Sequence, residues 1–224
     1  MLIQKISILL LFLLLPLFKP NPETNQNQIP QNSLKYNFNI ESLNDEIQKS
    51  GWNENLLTKY HFFIINSENI SNKDFNNLPN GFETSFLNSL VLKKQQQYDL
   101  MFDTLYKSFS TKIEYLPYYE ELVLSASATN KINLLEEKIN KENFSNENFL
   151  SGLISISKSE NEKAVKFFSE ALKNDSSDKN IYYQLSYAFR NSGNFDEASK
   201  ILKAASQNFS TDKWFVTKVR IAEG

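Results

Sequence analysis

The chain has 224 residues, a formal net charge of −2, 41% hydrophobic and 22% charged residues. This is an ordinary globular balance with no bulk attraction to nucleic acid or anionic lipid. Cysteine is absent and His61 is the single histidine, which excludes a disulfide, a cysteine nucleophile, a lipid-anchor cysteine and a thiolate or His-rich metal site within one chain.

Lys5 precedes an apolar run from Ile6 to Phe18, 13 residues (18 − 6 + 1). A helix that crosses a bilayer needs roughly 20 apolar residues, and the core of an export signal about 7–15. Residues 1–18 are therefore expected to be a signal peptide, with an uncleaved membrane anchor as the alternative, and the protein to be exported, periplasmic or in the cell envelope. Lys19–Ser33 holds three prolines and no apolar cluster, too little to offset ordering entropy. Residues 19–40 read as a flexible tether.

Residues 41–144 read as a helical region. Leu43 and Ile47 stand four apart, and Gly51 supplies a stop. The apolar run Phe62–Ile65 fits a strand or a buried helix. Ser71–Gly81 is a loop by its Asn-Pro-Gly chemistry. Phe82, Phe86, Leu90, Tyr98, Met101, Leu105 and Phe109 recur at helical spacing, giving one or two helices. Pro117 suits the first turn of the next, which carries Leu122 and Val123. Thr129-Asn130 is expected to cap a short helix with Leu134, Leu135 and Ile139. No stretch alternates with period two, and 5 Gly and 6 Pro are few for an all-β chain. The fold class is all-α.

Two later stretches match in register. Ala164 and Ala198, Phe168 and Leu202, and Ala171 and Ala205 are each 34 residues apart (164 to 198, 168 to 202, 171 to 205), and Gly152 and Ser186 each lie twelve before the first alanine. One period shared by four features is a structural repeat, a helical hairpin that buries its apolar face only by stacking on neighbours. Close helix crossing requires small side chains, so Gly152 and Ser186 are expected to face Ala164 and Ala198, with Phe168 and Leu202 filling the space between units. Gly193 can take positive φ between the helices; Asp196 and Glu197 suit the N-terminal end of a helix dipole. Met101 and Leu135 continue the 34-residue spacing, but Leu135 to Ala164 is 29, so an earlier degenerate unit stays open.

At these residues the chain resembles the tetratricopeptide repeat family, over residues 145–178 and 179–212. Tyr182, Leu185, Phe189, Gly193, Phe195, Ala198 and Ala205 fall on the family pattern. Ser176 and Ser210 stand where a late proline is usual. The resemblance implies a helical-repeat solenoid whose first helices line a groove for a protein or peptide partner. Carried over by position, the groove presents Asn180, Tyr183, Tyr187, Arg190 and Asn191, preceded by Phe149 and Leu153, with Trp214 from a terminal capping helix at 213–224. Tyr, Trp and Arg are the types that anchor interfaces. Phe149 and Leu153 stand where some relatives hold Lys and Asn for a terminal carboxylate, so an amphipathic helix or extended peptide fits better.

The chemistry of catalysis is absent from the motifs. There is no Gly-x-Ser-x-Gly, no phosphate-cradling Gly-rich loop and no His-Glu-x-x-His. His61 reads as a packed histidine. Glu120-Glu121 and Glu136-Glu137 diverge on a helix and read as solvated faces. Tyr115, Tyr118 and Tyr119 read as core. The expected role is an exported or membrane-tethered interaction scaffold without catalytic residues, metal, cofactor or nucleic-acid partner; the alternative is the N-terminal sensory or regulatory part of a larger enzyme or receptor.

Overall fold

The computed structural model describes residues 40–67, 69–110, 112–141 and 146–210, all within one compact unit. The signal or anchor, most of the tether, the terminal helix and Trp214 lie outside the described residues. Among the described residues there are ten α-helices and no strand: α1 Ile40–Ser50, α2 Glu54–Asn66, α3 Phe82–Lys94, α4 Tyr98–Ser108, α5 Leu116–Ala128, α6 Ile132–Ile139, α7 Glu147–Ser157, α8 Asn161–Asn174, α9 Lys179–Asn191 and α10 Phe195–Asn208.

Burial follows helical period. α8 buries Ala164, Phe168 and Ala171, and α10 buries Ala198, Leu202 and Ala205, one stripe each with a polar opposite face. α3 and α5 are buried on several sides and form the centre of the stack. The Phe62–Ile65 run lies inside α2, where Leu56, Leu57, Tyr60 and Ile64 are buried at helical spacing. Asn53 caps α2 by accepting from the Leu56 N–H at 3.0 Å. The Ser71–Gly81 loop contains a 3-10 turn, Asn72–Phe75, and buries Phe75 and Leu78.

From α3 onward the helices pair as four hairpins, α3/α4, α5/α6, α7/α8 and α9/α10, each closed by the same three-residue turn. Its central residue is left-handed in every case: Gln96 (φ 58°), Asn130 (59°), Ser159 (62°) and Gly193 (80°). The N–H of the next residue reaches back to close a six-residue Schellman cap: Gln97 to Leu92 O at 2.9 Å, Lys131 to Ala126 O at 2.7 Å, Glu160 to Ser155 O at 2.9 Å and Asn194 to Phe189 O at 2.9 Å. The turns recur at 34, 29 and 34 residues (96 to 130, 130 to 159, 159 to 193). The short interval matches the 8-residue α6 and 11-residue α7. Asn130 thus ends α5 instead of capping α6, whose N-cap is Lys131 without a side-chain cap bond, and Leu134 is exposed.

Close packing occurs at Gly152, one of the small residues that predict it. A Cβ built on Gly152 would lie 2.6 Å from Phe168 Cε1, so Phe168 sits over Gly152 within one hairpin. Its ring is held edge-on by Phe149 at 5.6 Å. Ser186, in the matching place, is buried and satisfies its hydroxyl on Tyr183 O at 2.7 Å.

Candidate functional site

Phe86, Glu120 and Tyr183 are the fifth residues of α3, α5 and α9; Leu90 and Tyr187 are the ninth of α3 and α9. Shared register puts these side chains on one face of the array.

The α5 and α9 ends of that face meet. Gln184 Nε2 donates to Glu120 Oε1 at 2.9 Å. Tyr183 is half-buried beside them: burial pushes its phenol up, Glu120 and Tyr187 add to that, and Arg190 opposes it. Tyr187 and Arg190 are half-buried and Asn191 is exposed; the Asn191 carbonyl accepts from Asn161 Nδ2 at 3.0 Å. Asn180 is buried, its amide donating to Asp178 Oδ1 at 2.8 Å.

Phe149 is 1% exposed. It is a core residue against Phe168 and presents no ring to the surface. Leu153 is also buried. The array therefore offers Tyr183, Tyr187, Arg190 and Asn191 together on α9, and not Phe149.

The α3 side of the face is covered by the chain itself. His61 of α2 lies edge-on to Phe86 at 5.1 Å, and its Nδ1 is 3.3 Å from the Tyr115 hydroxyl. Phe86 and Tyr115 meet at 5.3 Å, closing a triangle across α2, α3 and the start of α5. Lys94 Nζ donates to Ser67 O just after α2. His61 is thus a packing residue between two rings.

The other expectations divide. Tyr115, Tyr118 and Tyr119 are core, and burial pushes all three phenols up, Tyr119 to about 12. Glu121 is 7% exposed and pairs with Lys93 at 2.7 Å, so it is no solvated carboxylate. Gln184 has no place in the sequence reading, and Glu120, expected on a solvated face, accepts from it; the signal was Glu120 standing fifth in its helix, as Tyr183 does. Among the described residues no group of three His, Cys, Asp or Glu side chains could hold a metal ion, and no helix is long and apolar enough to cross a membrane.

A family model described as tetratricopeptide repeat matches residues 180–207, covering α9, its turn and nearly all of α10. Residues 180–207 are a tetratricopeptide repeat. The matched repeat holds Tyr183, Tyr187, Arg190 and Asn191, and its turn geometry is the one repeated at Gln96, Asn130 and Ser159. No curated protein matches the chain. Among solved structures, MamA from Desulfovibrio magneticus RS-1 is 10% identical with a TM-score of 0.37, covering 78% of this chain and 95% of that one. YrrB, titled a TPR protein with an unusual peptide-binding site, is 12% identical with a TM-score of 0.39, covering 81% and 99%.

Proposed function

We propose that this protein is an interaction scaffold, and that it holds a peptide or helix of a protein partner on the α9 side of its first-helix face. The observation behind this reading is the convergence of Tyr183, Tyr187 and Arg190 with Glu120 and Gln184 on one partly open face. Two phenol rings and a guanidinium supply apolar area with polar ends, the combination that anchors binding hot spots. Gln184 and Glu120 fix the two helices at that place, so the anchors are held before a partner arrives, which lowers the ordering cost of binding.

We further propose that the scaffold works outside the cytoplasm or on its membrane, which the 13-residue apolar run after Lys5 supports. Capture of partners by the full chain, compared with Tyr187→Ala and Arg190→Ala, tests the site. Loss of the same partner in both variants is the expected result; recovery equal to the parent in both overturns it. Fractionation with N-terminal sequencing tests the location, and an intact Met1 in a soluble cytoplasmic fraction overturns that part.

A further inference from the structure

We infer that α2 is an intramolecular occupant of the partner face, exchangeable with a partner helix that uses the Phe86–Tyr115 side. This rests on the reading of the first-helix face as the partner surface.

The contacts that seat α2 on the array run along that face. His61 meets Phe86 and Tyr115, and Lys94 closes on Ser67 O at the C-terminal end. A helix laid over α3 and the start of α5 by such contacts is a helix-in-groove arrangement, with the ligand supplied by the same chain.

α2 is also tied to the segments beside it in the chain. Tyr60 ties α2 to its own surroundings: its hydroxyl bonds Asn44 Oδ1 of α1, and its ring meets Trp52 at 5.8 Å and Phe75 at 6.2 Å. Gln48 Nε2 donates to Asn77 O at 3.0 Å, which ties α1 to the loop after the 3-10 turn. The join to α3 is Pro79-Asn80-Gly81, breaker residues.

A ligand for a face that is only fractionally open binds with its intrinsic affinity reduced by that fraction. Holding α2 down must weaken such binding, and loosening it must strengthen it.

The probe is a fluorescein-labelled synthetic peptide of residues 54–67. The chain has no native cysteine, so Ser67→Cys with Lys94→Cys, bridged by a short bis-maleimide, clamps α2 site-specifically. Bridged and unbridged halves of one preparation are compared by fluorescence anisotropy. The expected result is at least about tenfold weaker peptide binding after bridging. His61→Ala in the otherwise unaltered chain gives the opposite test: tighter binding than the parent, with faster amide exchange in α2. Equal affinity of bridged and unbridged protein, or no tighter binding by His61→Ala despite faster α2 exchange, overturns the inference. Partner capture that needs Tyr187 and Arg190 yet ignores the bridge also overturns it, and leaves the proposed function standing.

Discussion

Gly152 and Phe168 occupy one space: the hydrogen of the glycine faces the ring, and a methyl group there would lie 2.6 Å from Cε1 and 2.7 Å from Cδ1. Two effects compete in Gly152→Ala. Removing a helical glycine favours the helix by roughly 1 kcal/mol. Overpacking costs about 1–3 kcal/mol, and Phe168 cannot swing away, being fully buried with Phe149 edge-on to it. Gly152→Ala should lower the urea midpoint, and Phe168→Leu in the same chain should restore part of it, since Ser186 with Leu202 occupies the matching positions of the next hairpin. Additive losses in the double mutant would contradict the shared space.

The four turns make a graded series. An L-residue in the left-handed region costs roughly 1–2 kcal/mol, less for Asn. Gln96→Gly and Ser159→Gly should each stabilise by about 0.5–1 kcal/mol in chemical unfolding, and Asn130→Gly by less. Gly193→Ala should destabilise by about 1 kcal/mol. A Cβ at Gly193 meets nothing within 4 Å, so its cost would be backbone strain alone. Equal midpoints for Gln96→Gly, Ser159→Gly and parent would argue against a cost at those φ values.

These turns explain what was legible in the sequence. The α9/α10 hairpin announces itself because Gly193 is the residue its turn geometry favours and Ala198 the one its crossing favours. The α3/α4 and α5/α6 hairpins use the same turn with Gln96 and Asn130, and the same buried positions with Ser89, Met101, Val123 and Leu135. Those residue types carry no local signature, and the short α6 breaks the period. On the candidate site, Tyr183, Tyr187, Arg190 and Asn191 could be placed together because they share one helix. Phe149 could not be sorted from them: its burial comes from the ring on the facing helix. Nor could α2's seat on Phe86, which joins residues 61 and 86 through tertiary contact alone.

Lys93 and Glu121 bind α3 to α5 at 2.7 Å, with the lysine side chain 40% exposed and the carboxylate 9%. Burial alone would push the Lys93 ammonium down; the adjacent Glu121 outweighs it and holds the group above the usual lysine range. Glu121 Oε2 has no hydrogen-bond partner and is buried. Lys93→Ala then strands a carboxylate in the core at about 1–3 kcal/mol, the lower end being favoured by the lysine's exposure. Lys93→Met with Glu121→Leu should come back near the parent, because apolar replacement of both partners removes the desolvation penalty. Thermal unfolding of the two variants checks this; a double mutant no more stable than Lys93→Ala would count against it.

Asp178 gives a prediction in pH. Burial raises its carboxyl above the ordinary 3.8, hydrogen bonds from the Asn180 backbone and side chain pull the other way, and Glu54 and Asp175 push it up again, with the net effect upward. The folded protein therefore holds this proton more tightly than the unfolded chain. Where the folded state binds more protons, stability falls as pH rises; the favourable contribution is present in acid and is lost as pH climbs through the raised folded value. Asp178→Asn abolishes that dependence and keeps a side-chain oxygen to accept from the Asn180 N–H, 2.7 Å away in the parent. Urea unfolding of both proteins between pH 4 and 7 should show the parent gaining on the variant as pH falls, and the variant at least as stable as the parent at pH 7. Parallel curves would mean that the Asp178 proton is held no more tightly in the folded protein than in the unfolded chain.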